Sequence, residues 1–227
     1  MTTSIPVGKD PRNRNQLIAA GIRDDLAKRG IYCINLISSP GSGKTTLLEC
    51  ALPTLGENLR LAVIEADAAT TNDADRLEHI GVRVEPLVTG ITSCHIAQPS
   101  AKSAFDKLDL DALEFIVIEN VGNLVCPAEE DLGEDDKIAM LSVAEGEDKP
   151  LKYPLLFQEA TLALVNKIDA ADALGADVDL MERNIRAVNP HVEVIRISAR
   201  TGQGVDEFVK WILARCAAKR PSKNLAE

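Results

Sequence analysis

The stretch Ile34-Asn35-Leu36-Ile37-Ser38-Ser39-Pro40-Gly41-Ser42-Gly43-Lys44-Thr45-Thr46-Leu47-Leu48 joins an apolar strand, a Gly/Ser loop and the start of a helix. This is the layout of a phosphate-binding loop. Glycines let successive backbone N–H groups converge on phosphates, and the N-terminus of the following helix adds its positive end. Ser38 stands where the usual spacing has its first glycine, so the consensus is incomplete. The segment still predicts a bound nucleoside triphosphate rather than a glycine-rich turn without a ligand.

Six residues of this loop are expected to contact the nucleotide: Gly41, Ser42, Gly43, Lys44, Thr45 and Thr46. The Lys44 ammonium would reach the β- and γ-phosphates and assist catalysis, and the Thr45 hydroxyl would bind Mg²⁺.

A second motif, Asn166-Lys167-Ile168-Asp169, follows the short apolar strand 161–165 and predicts which base is bound. The Asp169 carboxylate can accept two hydrogen bonds from the N1–H and exocyclic amine of guanine, a pair that adenine does not offer. Another strand, 192–197, ends in Ser198-Ala199-Arg200, where GTPases supply a backbone amide to the guanine carbonyl. Together with the phosphate loop, these two segments predict that the bound nucleotide is GTP.

Length and composition favour one globular domain spanning residues 1–227, with an N-terminal helical extension over 1–30 and a frayed tail over 218–227. The net charge of −10 argues against nucleic acid or an anionic membrane as the main partner. No apolar run is long enough to span a bilayer, and the N-terminus lacks the apolar stretch of a signal peptide. Five cysteines without close pairing favour the reducing cytoplasm.

Strands and helices alternate along the chain, which predicts an α/β fold: a doubly wound, mostly parallel sheet with helices on both faces. A leading helix begins at Asp10-Pro11 and carries Leu17, Ile18, Ile22 and Leu26 on one face. Strands are predicted near 31–37, 61–66, 83–88, 115–119, 139–144, 162–166 and 193–197. Helices are predicted near 44–55, 70–80, 98–108, 178–188 and 205–217. The acidic stretch 129–136 is expected to be a solvated loop.

Two strands end in acidic residues, Asp67 and Glu119, at the edge of the sheet where ligands bind in open α/β folds. We expect Asp67 to hold Mg²⁺ or the attacking water, and Glu119 to contact the ion through water. Gly122 would approach the γ-phosphate through its backbone. Either carboxylate could instead cap the following helix. The sequence offers no catalytic glutamine or arginine finger, so intrinsic hydrolysis is expected to be slow.

Cys94, His95 and Cys126 form a candidate metal site. Thiolate and imidazole ligands suit Zn²⁺ or, in a square-planar arrangement, Ni²⁺. A position at or just before a helix N-terminus would lower the pKa of the Cys94 thiol. Buried, unreactive cysteines are the alternative. Three ligands leave a coordination position empty, and a symmetric dimer could combine the three ligands of each subunit at its two-fold axis.

The chain resembles the hydrogenase maturation GTPase HypB family, the nickel-incorporation factors, from Ile31 to Trp211. The resemblance rests on the phosphate loop, Cys94-His95, the segment Glu119–Pro127, Asp131-Leu132-Gly133-Glu134, Leu141–Gly146 and Lys149-Pro150-Leu151-Lys152-Tyr153-Pro154. It implies a SIMIBI-type G domain that forms a GTP-dependent homodimer and holds metal at the interface through Cys94, His95 and Cys126. It also implies two partners, a small zinc-containing, HypA-like nickel metallochaperone and the large-subunit precursor of [NiFe]-hydrogenase.

Lys149 or Lys152 could reach across such a dimer to the partner's phosphates, or both could be solvated lysines. Residues 1–30 contain no cysteine and no histidine, so we expect a form without the N-terminal nickel-storage motif of many relatives. Ala66 and the segment 96–100 also depart from the family pattern. A urease-type nickel accessory GTPase and a metal-buffering GTP-binding protein without a delivery role remain as alternatives.

Overall fold

A single parallel sheet of seven strands forms the centre of the molecule. The computed structural model describes residues 11–90 and 93–220. The strands are β1 Tyr32–Ser38, β2 Leu61–Asp67, β3 Arg83–Val88, β4 Phe115–Gly122, β5 Asp136–Ser142, β6 Leu162–Asn166 and β7 Glu193–Arg196. Their order across the sheet is β3-β2-β4-β1-β5-β6-β7. Every residue of β1 and β6 is buried, as expected for parallel strands covered on both faces. The one strand with a proline, β3 with Pro86, lies at the edge of the sheet, where a missing N–H is tolerated.

Ten α-helices are described, and they cover both faces of the sheet. They are α1 Pro11–Arg29, α2 Lys44–Gly56, α3 Asn72–His79, α4 Gln98–Phe105, α5 Cys126–Glu129, α6 Lys149–Lys152, α7 Pro154–Glu159, α8 Ala171–Leu174, α9 Val178–Val188 and α10 Val205–Lys219. Single 3₁₀ turns lie at Leu110–Ala112, Val143–Glu145 and Ile168–Ala170. Because side chains alternate along a strand, Ile34 packs with α2, α3 and α10 on one face, whereas Cys33 packs with α1 and α4 on the other. The other half of that second face is covered by α7 and α9.

The predicted doubly wound α/β fold is confirmed, and each of the seven predicted strands corresponds to an observed one. The largest shift is in β5, which begins at Asp136 rather than near residue 139. The four helices α5 to α8 were not predicted. Each is only four to six residues long, too short to produce a helical pattern of apolar residues.

The acidic stretch 129–136 is not the fully solvated loop that was expected, because Glu134 and Asp136 are only 5% and 8% exposed. The hydroxyl of Tyr32 donates a hydrogen bond to Asp136 (2.6 Å), and the amide of Asn35 donates to Glu134 (3.2 Å). Burial raises the pKa of Glu134. Hydrogen-bond donors on β1 therefore make burial of these carboxyl groups tolerable.

In the N-terminal helix α1, Ile22 and Leu26 are buried as predicted. Leu17 is 65% exposed, so its assignment to the buried face was wrong. The predicted cap Asp10 lies outside the described residues.

The last helix, α10, continues to Lys219, so the frayed tail does not begin at residue 218 as predicted. The Lys219 ammonium forms an ion pair with Asp135 at 2.6 Å, which anchors the end of the helix. Residues 221–227 of the predicted tail lie outside the described part of the chain. Within residues 11–90 and 93–220, no helix has the length and apolar character needed to cross a membrane.

Candidate nucleotide and metal site

The phosphate loop connects the end of β1 at Ser38 with the first residue of α2, Lys44. Gly43 immediately before the helix has φ of 99°, and an added Cβ there would lie 2.7 Å from the side-chain nitrogen of Asn166. That nitrogen donates a hydrogen bond to the carbonyl of Ser42 (2.7 Å). Glycine is therefore required by both the backbone conformation and the close approach of the base-recognition motif.

At the start of α2, the Thr45 hydroxyl donates a hydrogen bond to one carboxylate oxygen of Glu119 (2.7 Å). The other oxygen of Glu119 is buried and has no hydrogen-bond partner among the described residues. Burial raises the pKa of Glu119 to about 7, although the positive charge of Lys44 opposes the shift. A hydroxyl and an unpartnered carboxylate oxygen side by side are suitable for Mg²⁺ with its bound water.

Glu65 on β2 is a buried acid of this site that sequence reasoning missed. It lies opposite Glu119 in the register of β2 and β4. Burial, followed by the negative charge of Glu119, raises the pKa of Glu65 to about 8. The available signal was a charged residue inside the apolar run 61–66, because charged residues are rarely fully buried unless another group pairs with them.

Asp67 ends β2 and accepts hydrogen bonds from the backbone N–H groups of Ala69 and Thr70, both at 2.8 Å. These bonds lower its pKa, the bond from Ala69 most strongly. Asp67 thus caps a tight turn directly after β2. It does not cap the following helix α3, which begins at Asn72, so the helix-capping alternative is not what the structure shows for Asp67. Its side chain also lines a cavity of about 360 Å³ together with Lys44.

Gly122 at the end of β4 touches the phosphate loop and lines the same cavity. A Cβ added there would lie 2.8 Å from the Cα and the Cγ of Pro40. The strand end and the loop are therefore in direct backbone contact, and glycine alone permits this approach.

Five of the six predicted base-recognition residues line a second cavity of about 560 Å³, whereas the sixth, Ser198, is fully buried beside it. It is lined by Gly43, Thr46, Asn166, Lys167, Asp169, Ala170, Ala173, Ala199 and Arg200. Ala170 and Ala173 had not been predicted, because alanine carries no chemical signal in a sequence.

Within this cavity, Asp169 accepts hydrogen bonds from the hydroxyl of Ser198 (2.5 Å) and the guanidinium of Arg200 (2.9 Å). These contacts lower the pKa of Asp169, and the hydrogen bond from Ser198 has the largest effect. Asn166 accepts a hydrogen bond from the backbone N–H of Ala199 (2.9 Å) and so joins the two base-recognition loops. The ammonium of Lys167 donates to the carbonyl of Gly41 (2.6 Å) and links them to the phosphate loop.

Cys94, His95 and Cys126 come together, and their candidate ligand atoms all lie within 4.8 Å of one another. The sulfur atoms of Cys94 and Cys126 are 2.8 Å apart, and Nδ1 of His95 is 3.5 Å from the Cys94 sulfur. Cys94 is exposed and Cys126 half-buried, so neither is the buried, inert cysteine of the alternative interpretation. Two sulfurs and an imidazole fit the preferences of Zn²⁺ and Ni²⁺.

The pKa of the Cys94 thiol is raised, contrary to expectation, because the thiol shares a hydrogen bond with Cys126. Cys94 also precedes the first residue of α4, Gln98, by four positions, beyond the reach of the helix terminus.

The cavity of about 360 Å³ beside the phosphate loop is called the phosphate cavity below. The metal cluster and this cavity share a wall, because Cys94 lines the cavity together with Lys44 and Gly122. Asn123 links the two sites. Its side-chain nitrogen donates to the carbonyl of Cys94 (2.9 Å), and its side-chain oxygen accepts from the N–H of Val125 (2.9 Å), the residue before Cys126. One side chain next to Gly122 thus contacts both metal-ligand segments.

Lys149 and Lys152 lie on the short helix α6 and interact with acidic residues of their own chain. The Lys149 ammonium is 3.9 Å from Glu145 and 5.1 Å from the centre of the Tyr153 ring. Lys152 pairs with Asp148 at 2.6 Å. A contact with a partner subunit remains a prediction for both lysines.

This fold and this pair of cavities define a P-loop GTPase of the SIMIBI class. The family model described as CobW/HypB/UreG, nucleotide-binding domain, matches residues 32–196. The chain belongs to the HypB family of hydrogenase maturation factors.

Two relatives and one solved structure illustrate the relationship. The hydrogenase maturation factor HypB of Escherichia coli K12 is 46% identical over 209 residues, which cover 92% of this chain and 72% of the relative. The hydrogenase/urease maturation factor HypB of Helicobacter pylori is 36% identical over 207 residues, covering 89% and 84%. A crystal structure of HypB from Helicobacter pylori in complex with nickel superimposes with a TM-score of 0.84 at 34% identity and covers 92% of this chain and 98% of that one.

Proposed function

We propose that this GTPase is a metallochaperone of one GTP-binding domain that binds nickel, or zinc, through Cys94, His95 and Cys126. GTP-controlled dimerisation would then help to insert nickel into [NiFe]-hydrogenase. The observation that carries the proposal is the wall shared by the metal cluster and the phosphate cavity. Binding of one ligand there can alter the geometry of the site for the other.

The nucleotide chemistry follows from the contacts of the phosphate loop. Lys44 neutralises charge on the β- and γ-phosphates. Thr45 would hold Mg²⁺ through its hydroxyl, Asp67 would hold the ion or the attacking water, and the unpartnered oxygen of Glu119 would contact the ion through water. The ion would supply positive charge that stabilises the phosphates during hydrolysis. The backbone N–H of Gly122 approaches the γ-phosphate.

Guanine recognition uses the acceptor sites that Asp169 has left. Its two carboxylate oxygens accept hydrogen bonds from Ser198 and Arg200, one each, and each oxygen can accept a second bond from the base. Asn166 and Lys167 keep the base loop joined to the phosphate loop, so guanine binding also orders the phosphate site.

The coupling runs through Gly122 and Asn123. A γ-phosphate that shifts the backbone of Gly122 also moves Asn123, which is hydrogen-bonded to the segments of Cys94 and Cys126. Because three ligands from one chain leave a coordination position open, a symmetric dimer would complete the site from two sets. Lys149 or Lys152 would reach the partner's phosphates in that dimer.

The partners inferred are a HypA-like zinc-containing nickel metallochaperone, which would exchange nickel, and the hydrogenase large-subunit precursor, which would receive it. The Helicobacter pylori relative is named for both hydrogenase and urease, so delivery to urease is the second candidate. A protein that only buffered metal would lack the link between nucleotide and metal affinity.

The test is a titration of Ni²⁺ into GDP-loaded and GTP-analogue-loaded protein, combined with sizing of the same samples. We expect one shared binding event that is lost in Cys126→Ala but retained in Cys50→Ala, which removes an exposed thiol outside the cluster. GTP hydrolysis should remain in both variants. Unchanged nickel stoichiometry in Cys126→Ala would refute a shared site. Equal nickel affinity and equal dimer fractions in both nucleotide states would refute nucleotide-controlled delivery.

A further inference from the structure

The two ring nitrogens of His95 face different groups. Nδ1 is 3.5 Å from the sulfur of Cys94, whereas Nε2 is 3.8 Å from a carboxylate oxygen of Glu130. A neutral imidazole carries its proton on one nitrogen and its lone pair on the other. For the lone pair to face the Cys94 thiol, the proton must be on Nε2, which faces the carboxylate.

Glu130 is itself held in place. It directly follows α5, the helix that begins with Cys126. A proposed sulfur ligand and the carboxylate next to the imidazole therefore lie at the two ends of one short segment. The side-chain nitrogen of Gln98 donates hydrogen bonds to the Glu130 carboxylate and to the carbonyl of Asp131, the latter at 3.2 Å.

The orientation of the Gln98 amide is determined by these neighbours, because both are acceptors and only its NH₂ group can face them. Gln98 is 4% exposed, and its oxygen has no hydrogen-bond partner within the described part of the chain. Leaving this buried oxygen unpaired costs stability, and the two bonds that the NH₂ group donates offset the cost. The bond to Glu130 holds its carboxylate on the side of His95.

We propose that Glu130 is a positioning residue that fixes the His95 tautomer with the proton on Nε2 and the metal-binding lone pair on Nδ1. Gln98 holds the carboxylate in this position. A metal-bound histidine commonly donates its other N–H to a carboxylate, which orients the ring and makes it a better ligand. The inference rests on the proposed metal site formed by Cys94, His95 and Cys126.

The test compares Glu130→Ala with Glu129→Ala, which removes the same charge from the neighbouring, exposed position. Ni²⁺ or Zn²⁺ affinity is measured by competition with a chromophoric chelator, and thermal unfolding and GTP binding verify the fold. We expect Glu130→Ala to weaken metal binding about 10–100-fold, and Glu129→Ala to leave it unchanged. The isosteric Glu130→Gln should weaken it less, because an oxygen acceptor remains.

A spectroscopic measurement separates tautomer control from a general structural effect. In Zn²⁺-loaded wild-type protein, ¹⁵N NMR of His95 should report a proton on Nε2 and metal on Nδ1, and Glu130→Ala should populate the other tautomer. Wild-type affinity in Glu130→Ala, or metal on Nε2 in the wild type, would overturn this inference and leave the metal site intact. Absence of metal binding in the wild type would overturn the site itself, and this inference with it.

Discussion

The contact between Gly122 and Pro40 provides a sharp test of how the phosphate loop is held. In Gly122→Ala, the new Cβ would lie 2.8 Å from two carbon atoms of Pro40, whereas ordinary van der Waals contact begins at 3.4 Å. The strand end and the loop must therefore separate by about 0.6 Å, and neither the proline ring nor the backbone can rotate away.

Overpacking of this kind typically costs about 1–3 kcal/mol. For a chain of this size, that cost lowers the melting temperature by about 2–12 °C. The displaced loop should also lose affinity for GTP more than for GDP, because Gly122 is expected to approach only the γ-phosphate. The assay is thermal unfolding of nucleotide-free protein, followed by calorimetric titration with GDP and a non-hydrolysable GTP analogue.

Gly56 supplies the matched control. It lies at the end of α2, and an added Cβ would meet no atom within 4 Å. Gly56→Ala should therefore keep or raise the melting temperature, because alanine favours the helix. If Gly122→Ala melted within about 1 °C of the wild type and kept the wild-type ratio of GTP to GDP affinity, the close approach would not constrain the site.

Three further predictions concern other parts of the site. Asp169→Asn should weaken GTP binding about 10²–10⁴-fold, since two charge-assisted hydrogen bonds are lost, and should favour xanthosine triphosphate; wild-type preference for ATP in competition binding would contradict the assignment. Asn123→Ala should reduce the ratio of nickel affinities between GTP-analogue and GDP states from roughly 5–150-fold towards one; an unchanged ratio would mean that the coupling runs elsewhere. Because the folded-state pKa of Glu119 is raised to about 7, its contribution to stability is complete below its ordinary pKa of 4.5 and is lost as pH rises through 7. Glu119→Gln stays neutral, so above pH 7 it should melt at a higher temperature than nucleotide-free, magnesium-free wild type; parallel melting curves across pH would refute a buried charge at this position.

The sequence determined the class of fold and the nucleotide motifs, because their signals are local. The phosphate loop is one contiguous segment between a strand and a helix, and residues 166–169 begin at the last residue of a buried strand. Strands such as β1 and β6 were readable because continuous apolar runs are what a sheet covered on both faces demands.

Strand order and tertiary packing determine which acidic residues are buried and in which direction the pKa values of individual groups shift. The negative charge of Glu119 contributes to the raised pKa of Glu65 only because β2 and β4 are neighbours, an arrangement that no local pattern encodes. Burial of Glu134 was likewise unpredictable, since one of its two hydrogen-bond donors, Asn35, lies on a strand distant in sequence, although the other, the backbone N–H of Leu132, is local. The pKa of Cys94 moved opposite to expectation because the nearest group is the thiol of Cys126.

Identifying the metal cluster needed both the residue types in the sequence and the distances in the tertiary structure. The residue types of Cys94, His95 and Cys126 suggested the chemistry, but only the fold brings two sulfur atoms within 2.8 Å of each other. The wall shared with the phosphate cavity, and the contact of His95 with Glu130, likewise arise where loops from separate strands converge. A sequence records which groups are present, whereas the distances that govern coordination and proton placement depend on contacts between segments far apart in the chain.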